Sequence, residues 1–482
     1  MSARGFLGDR VLLGISMLAV LLMLLLYLPF PLGGDTAMFV FAARELSEGA
    51  RLYVDFWDMK QPGVYWFYQA GGEIFGFDSI GARAIEVIWM LALSLLLIYT
   101  LKPLLAINRL AYLAPVACLG LAYAQGYMYS GQLELLVSLP VVGVIACLTR
   151  QHATDRHKYI SYMLAGALTV LVAVFKLLLV VIPLGVIMVK FGAVIRQDRS
   201  VKSLWTHVAP IALGGVLCLA VVSIYLASTD SLSGAFWTSF VYPPLAIEAY
   251  PHRPVWQLRA GATAFLSVVW PMLPFALLAL LRVVNKRIAV LIGMLLAWLF
   301  FGAAAVSVQA LSRWVYHFGI FFVPVGILAI IGIDVVASFL RDRDQRSIRI
   351  IGSALIVATF VVAVVYPWTR TLSRFWLSGN PPWADLTTFQ EEIDPKLREL
   401  RKSAAFLDEP GALPGPIGLL GDTRMVFVSK RRPTLEPNGW TLYLPDQIST
   451  AAEALRAASP NYVYVSTYLA RNHGNRNSAI YD

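Results

Sequence analysis

The sequence predicts an α-helical polytopic membrane protein with about eleven transmembrane helices and a small C-terminal α/β domain outside the membrane. Of its 482 residues, 58% are hydrophobic and 14% are charged. An ordinary soluble domain has roughly 45 to 50% hydrophobic residues and about 25% charged residues. The apolar residues fall in nearly uncharged blocks of about 17 to 22 residues, the length of a helix that crosses a ~30 Å hydrocarbon core. A water-soluble fold is therefore excluded.

The apolar blocks give the predicted spans in chain order. These run from 11 to 30, 79 to 101, 110 to 126, 131 to 149, 159 to 175, 177 to 195, 208 to 228, 261 to 281, 288 to 306, 314 to 336 and 349 to 367. The first block is followed by the polar, aromatic stretch PFPLGGDTAMF and not by a small-residue cleavage site. We therefore expect it to remain in the protein as a first span and not to be removed as a signal peptide.

Basic residues indicate which connectors face the cytoplasm. The alternate connectors RQHATDRHK, RQDRSVK, RVVNKR and RDRDQR each hold several Lys or Arg, whereas the connectors between them are nearly bare. The positive-inside rule then predicts a cytoplasmic N-terminus. We expect a multi-pass protein of the bacterial inner membrane. The net charge of +10 comes largely from these short connectors, so it does not indicate a nucleic-acid-binding surface.

This orientation places four segments on the outer face. They are the loop from 31 to 78, the turn YMYSG, the loop from about 229 to 260, and the tail. Within the first loop, the stretches 36–49 and 62–76 combine apolar, aromatic and charged residues. Such stretches predict amphipathic helices that lie along the membrane surface.

The tail differs in composition from the rest of the chain. We expect residues 1–367 to form the transmembrane domain and residues 368–482, which gain Pro, Asp, Glu and Arg, to form a separate domain. A helical pattern covers 388–407, and AAEALRAAS predicts a second helix. The short runs PIGLLG, RMVFVS and NYVYVST favour β-strands. Together they predict a small extracytoplasmic α/β domain.

Two acidic side chains lie where predicted spans meet the outer face. Asp35 follows the first span in GGDTAMF, and Glu134 lies near the outer end of the fourth span in YSGQLELL. A carboxylate at that depth is costly in lipid and usually faces a polar cavity or the protein interior. Asp35 also has a structural interpretation, because Asp before an amphipathic run is a common helix N-cap. The two roles are compatible.

Two lysines lie on the same side of the membrane. Lys60 comes shortly before Pro62, which starts a helical stretch. A cation beside the free N–H groups of a helix start can hold a phosphate. Lys176 interrupts the apolar run VAVFKLLLVVIP, so it must reach the headgroups or bind an anion. For both lysines, snorkelling to the membrane surface is the structural alternative.

A third group lies at the outer start of the tenth span, in QALSRWVYHFGIFFVP. Gln309, Arg313 and His317 are four residues apart, so on one helix they would share a face. A guanidinium and an imidazole on that face could bind a phosphate. The alternative is an interface anchor, in which Trp314 and Tyr316 belong to an aromatic belt.

These motifs resemble the GT-C superfamily of integral-membrane glycosyltransferases, in particular the branch that includes protein O-mannosyltransferases and the lipid A aminoarabinose transferase. The resemblance depends on Asp35, on AARELSEGARLYVDFWDMKQP and on SRWVYHFGIFFVP. It covers nearly the whole chain, because the hydropathy profile and the outer tail also agree. It implies transfer of a sugar from a polyprenyl-phosphate-linked donor to a hydroxyl of a lipid, glycan or protein acceptor, with inversion of the anomeric centre.

The resemblance also implies roles for individual residues. Asp35 would be the catalytic base, and Glu134 the second outer acid, which helps to orient the acceptor or, in some members, a metal. The donor phosphate would be bound by Lys60, Lys176, Arg313 and His317. Many relatives carry a second acid directly after the first Asp, but Thr36 stands there in this chain. For that reason a divalent metal is possible but not favoured, and none is assigned. No other cofactor is assigned.

Two other functions fit parts of the pattern. A transporter or flippase of a lipid-linked sugar would share the phosphate contacts and the lipid groove. The concentration of charged residues on the outer side, the large first loop and the outer domain favour the transferase. A membrane scaffold whose tail binds a partner protein would leave Asp35, Lys60 and Arg313 without a role.

Overall fold

The computed structural model describes residues 3–198, 201–249, 255–309, 314–434 and 445–465. Eight of the described helices are long and apolar enough to cross a membrane. A ninth crossing results if Val255–Val269 and Leu273–Val284, which meet at an 84° bend, form one broken span. The prediction of a polytopic α-helical membrane protein is confirmed.

The helices are numbered in chain order over the described residues. The first ten are α1 (Ala3–Leu25), α2 (Gly34–Ser47), α3 (Gly63–Phe75), α4 (Ser79–Leu101), α5 (Ala114–Tyr123), α6 (Leu133–Leu136), α7 (Ser138–Thr149), α8 (Asp155–Phe175), α9 (Val181–Asp198) and α10 (Val201–Ser228). The next are α11 (Leu232–Phe236), α12 (Tyr242–Ala249), α13 (Val255–Val269), α14 (Leu273–Leu278), α15 (Lys286–Val308), α16 (Phe322–Arg341), α17 (Arg346–Phe360), α18 (Tyr366–Leu377), α19 (Leu386–Ile393), α20 (Pro395–Phe406), α21 (Arg424–Ser429) and α22 (Pro445–Ala458). Strands β1 (Ile417–Leu420) and β2 (Tyr462–Val465) pair in parallel, with Ile417 opposite Tyr462.

Two of the predicted spans, 110–126 and 131–149, are shorter helical segments than the eight long helices. The first contains the ten-residue α5, and the second corresponds to the short apolar helix Leu133–Thr149. Nearly all of their side chains are buried inside the protein. An apolar run in a sequence does not distinguish side chains that face lipid from side chains that pack against protein. This explains why the sequence predicts about eleven spans and the described helices supply eight or nine.

The described residues form two compact units. The first comprises the described parts of Met1–Tyr27, Glu86–Val222 and Pro254–Ser373. The second comprises those of Leu28–Ile85, Ser223–Arg253 and Arg374–Asp482. The domain division at 367/368 remains a prediction.

Close helix crossings hold the first unit together. Helix α16 packs against α5 and α14, α9 packs against α15, and α7 packs against α8. Helices α8 and α10 cross at two glycines, because a Cβ added to Gly166 or to Gly214 would lie 1.9 Å from a backbone oxygen of the other helix. Small residues at such crossings are the usual means of close helix packing in membranes.

The second unit is built around the two helices of the first loop. Helices α2 and α3 pack against each other, and they confirm the predicted helical stretches 36–49 and 62–76. Their contact is aromatic, since the Phe39 ring lies 6.0 Å from that of Tyr65 and 6.2 Å from that of Tyr68. The orientation of these helices along a membrane surface remains a prediction.

The tail belongs to this same unit. Gln390 Nε2 of α19 donates to the carbonyl of Pro29 at 3.0 Å, and Phe389 packs its ring edge against Phe30. Arg432 forms an ion pair with the buried Glu45 of α2. First loop and tail therefore share one hydrophobic and ionic core.

Most of the predicted elements of the tail are confirmed, and one is wrong. Helices α19 and α20 lie in 388–407, broken at Asp394, and α22 contains AAEALRAA; strands β1 and β2 lie in PIGLLG and NYVYVST. RMVFVS forms helix α21 and not a strand. Its first residue, Arg424, is buried and pairs with Asp394 and with Asp422, at 2.7 Å to the latter. These ion pairs fix the start of α21, and β propensity alone is too weak to outweigh tertiary contacts.

Candidate functional site

Four polar side chains form a ring inside the first unit, named here the buried ring: Glu134, Lys176, Gln309 and His317. Lys176 Nζ donates to Glu134 Oε1 at 2.5 Å, and His317 Nδ1 lies 2.6 Å from the same oxygen. Gln309 Nε2 lies 3.0 Å from His317 Nε2, and Lys176 Nζ lies 3.4 Å from Gln309 Oε1. Glu134, Lys176 and His317 are all buried. The structure thus brings together three of the residues proposed from the sequence.

The hydrogen bonds of the buried ring fix the protonation of His317. An amide nitrogen can only donate, so His317 Nε2 accepts from Gln309 and His317 Nδ1 carries the proton donated to Glu134. The charge of Lys176 is balanced by Glu134. Such a satisfied, electrically neutral cluster is compatible with burial, whereas a single unpaired charge is not.

Gln309 and His317 meet for a different reason from the one predicted. Helix α15 ends at Val308, and both Gln309 and Trp314 have extended backbone. Gln309 and His317 therefore do not lie on one continuous helix, and the prediction that they share a helix face is wrong. Arg313 lies outside the described residues.

Asp35 lies in the first turn of α2, in the second unit. The N-cap of this helix is Gly33, with extended backbone and without a side-chain cap hydrogen bond. The expectation that Asp35 itself is the N-cap is therefore wrong. Its half-buried carboxylate lies at the positive end of the helix dipole, where a negative charge is stabilised.

A second acid of the first loop lies near Asp35. Asp58 is buried, and its Oδ2 accepts a hydrogen bond from the Tyr65 hydroxyl at 2.5 Å. Its Oδ1 accepts one from the backbone N–H of Met59 at 2.7 Å. Burial raises the pKa of Asp58, the neighbouring Lys60 opposes that rise, and the negative charge of Asp35 adds to it. The loop thus combines two interacting carboxylates with a cation.

Lys60 lies just before α3, whose N-cap is Pro62. The predicted helix start at Pro62 is confirmed. The backbone of Lys60 is fixed because its carbonyl accepts a hydrogen bond from the Tyr53 hydroxyl at 2.5 Å.

Asp58 and Asp334 are among the buried acids to which the sequence assigns no role. Asp58 and Asp55 look alike in the sequence, but Asp55 is exposed and its pKa is lowered by hydrogen bonds from Arg51. Nothing in the sequence separates the two. Asp334 is fully buried in α16, where it accepts the backbone N–H of Ile107 at 2.7 Å and pairs with Arg282. A lone acid in an apolar block is the signal that could have identified Asp334.

The described architecture has the GT-C fold, so the fold implied by the sequence resemblance is confirmed. One similar structure is ArnT from Cupriavidus metallidurans in the apo state, with a TM-score of 0.62 and 14% identity over 98% of this chain and 95% of that chain. A second structure, of the same protein bound to undecaprenyl phosphate, has a TM-score of 0.56 and 13% identity over 94% of this chain and 89% of that chain.

A third similar structure is the archaeal oligosaccharyltransferase AglB from Archaeoglobus fulgidus, in complex with an inhibitory peptide and a dolichol-phosphate. Its TM-score is 0.54, with 13% identity over 97% of this chain and 70% of that one. No family model and no curated protein sequence matches the chain. At 13 to 14% identity, the similarity establishes the fold, and the function has to be argued from the site.

Proposed function

We propose that this protein is a glycosyltransferase that moves a sugar from a polyprenyl-phosphate-linked donor to a hydroxyl of a lipid, glycan or protein acceptor. The observation that carries the proposal is a fold shared over 94 to 98% of the chain with ArnT, in one structure bound to undecaprenyl phosphate. The reaction takes place on the outer face of the bacterial inner membrane. The sugar donor belongs to the hexosyl or pentosyl class.

Asp35 is the proposed general base. Its place in the first turn of α2 leaves the carboxylate half-exposed, so it can accept a proton from an acceptor hydroxyl. Direct attack by that oxygen on the anomeric carbon inverts the centre, while the bond to the phosphate oxygen breaks. The leaving phosphate gains negative charge in this step, and preplaced cations stabilise that charge in the transition state.

The donor phosphate is assigned to Lys60, Lys176, Arg313 and His317. In the buried ring, Lys176 and His317 both bind Glu134 Oε1. A phosphate oxygen is chemically similar to this carboxylate oxygen, so a phosphate would bind these two side chains in exchange for Glu134. Glu134 freed in this way can orient the acceptor hydroxyl. We assign residues 1–367 to the transmembrane transferase domain and the extracytoplasmic domain, 368–482, to selection of the acceptor.

The first experiment compares purified wild type with Asp35→Asn on a panel of radiolabelled polyprenyl-phosphate sugars, with a membrane lipid extract as acceptor. We expect wild type to release free polyprenyl phosphate from one donor, and Asp35→Asn to be slower by at least about 100-fold, because a positioned general base contributes at least that much. The donor that reacts identifies the sugar.

Asp55→Asn is the matched control, because it makes the same chemical change in the same loop at an exposed residue paired with Arg51. It should leave the rate unchanged. If Asp35→Asn reacts as fast as Asp55→Asn, Asp35 is not the base. If no variant consumes a donor and all of them move one across liposomes, the protein is a transporter.

A further inference from the structure

Asp58 is the most deeply buried acid of the first loop, with 2% of its surface exposed. Both carboxylate oxygens have hydrogen-bond donors, the Tyr65 hydroxyl of α3 and the backbone N–H of Met59. A buried carboxylate held at both oxygens has little freedom to move. Asp58 thereby connects the loop before Lys60 to the first turn of α3.

The backbone around Lys60 is fixed from two directions. Asp58 holds the N–H of the preceding residue, Met59, and the Tyr53 hydroxyl holds the carbonyl of Lys60 itself. Tyr53 has a φ of +64°, a left-handed conformation that costs free energy in any residue other than glycine. This strain is offset by its surroundings, including the hydrogen bond from Tyr53 N–H to the Phe56 carbonyl at 2.5 Å.

Asp58 and Lys60 also interact through their charges. The ammonium of Lys60 stabilises the charged form of Asp58, while Asp35 destabilises it. Hydrogen bonds thus fix the backbone on both sides of Lys60, and the charge of Asp58 acts on the ammonium that the proposed function assigns to the donor phosphate.

We propose that Asp58, held by Tyr65 and the Met59 amide, is a positioning residue that places Lys60 for the donor phosphate. The inference rests on the proposed function, because Lys60 is a donor-phosphate ligand only within it. Asp58 itself does not contact the donor in this proposal.

The kinetic test uses Asp58→Asn, Tyr65→Phe, Lys60→Ala and the double variant Asp58→Asn/Lys60→Ala, with the donor that wild type consumes. Asp58→Asn and Tyr65→Phe should each raise the donor KM about tenfold and leave kcat within about twofold, as expected when a hydrogen bond to a charged group is lost from ground-state binding. In the Lys60→Ala background, Asp58→Asn should have no further effect on the donor KM. Asp55→Asn, at the exposed acid of the same loop, should behave as wild type.

A second measurement does not depend on activity. The rate at which an amine-reactive ester acylates Lys60 is measured by mass spectrometry, with the exposed Lys402 as internal reference. Asp58→Asn and Tyr65→Phe should each change the acylation rate of Lys60 about threefold or more relative to that of Lys402. A threefold change corresponds to roughly 0.7 kcal/mol of free energy that orients the Lys60 side chain. Asp55→Asn should not change it.

The two measurements separate the possible failures. Additive effects of Asp58→Asn and Lys60→Ala on the donor KM, or an unchanged Lys60 acylation rate in both single variants, would overturn the inference. If wild type transfers no sugar from any donor while acylation of Lys60 still depends on Asp58, the proposed function fails and the coupling of Asp58 to Lys60 stands.

Discussion

At the scale of single residues, the buried ring shows how an apolar bundle accommodates a lysine. Lys176 follows α8 directly, and a cation there without a partner would have to be drawn to the membrane surface. Glu134 accepts from both Lys176 and His317, and Gln309 closes the ring by donating to His317. The stability of this arrangement depends on the pairing and not on the charge itself.

Glu134→Gln tests this dependence. It leaves Lys176 buried without a counter-charge, and we expect a loss of about 3 kcal/mol in the free energy of unfolding in detergent micelles. Adding Lys176→Met to the same protein should recover most of that loss, because no charge is then left unpaired.

The control for this prediction is Glu399→Gln. Glu399 is exposed and lies 3.9 Å from Lys402, so its change should stay within about 0.5 kcal/mol. Equal stabilities of Glu134→Gln and Glu399→Gln would mean that the ring does not contribute to the fold.

At the scale of secondary-structure elements, the sequence was sufficient where periodicity and composition agree. Helices α2 and α3, strands β1 and β2 and most of the long spans follow from such patterns. Helix α21 did not follow, because its start depends on an ion pair of Arg424 with Asp394, 30 residues away in the chain. The residue types of the site could be predicted, since Glu134, Lys176 and His317 all stand out in the sequence. Their mutual hydrogen bonds could not be predicted, because the three residues lie on three separate elements.

The crossing of α8 and α10 allows a prediction at this scale. A Cβ at Gly214 would lie 1.9 Å from the Met163 carbonyl oxygen, so Gly214→Ala should force the helices apart. We expect a loss of about 1 to 3 kcal/mol in unfolding free energy.

The matched change is Gly192→Ala in α9, where a Cβ would meet nothing within 4 Å. This change should be neutral or stabilising by up to about 1 kcal/mol, since alanine is the better helix former. The opposite order of the two stabilities, measured by thermal unfolding, would show that α8 and α10 do not cross at this glycine.

At the scale of the whole molecule, the basic connectors predict on which side of the membrane each segment lies. Asp344, in the connector RDRDQR, and Glu409, in the tail, are both exposed in the structure. A small hydrophilic reagent can therefore reach either position if it is present on the correct side of the membrane.

Single cysteines at these positions, in a protein whose Cys118, Cys147 and Cys218 have been replaced, test the orientation. We expect a membrane-impermeant maleimide to label Glu409→Cys in intact spheroplasts, and Asp344→Cys only after permeabilisation. Labelling in the reverse order would mean that the positive-inside rule does not hold for this chain.

The 84° bend between Val255–Val269 and Leu273–Val284 bears on whether the number of membrane crossings is odd or even. If the pair crosses the bilayer, the described helices make nine crossings, an odd number, and the tail lies on the opposite side from the start of α1. If the pair entered and returned on one side, every segment after Val284 would be inverted, and the tail would lie across the membrane from the first loop. Arg432 of the tail pairs with Glu45 of α2, so the pair has to cross the bilayer. The two shorter segments, α5 and Leu133–Thr149, do not alter this result when both cross or neither does. Residues 270 to 272 thus bend a span that crosses the membrane, and the first loop and the tail lie on the same side.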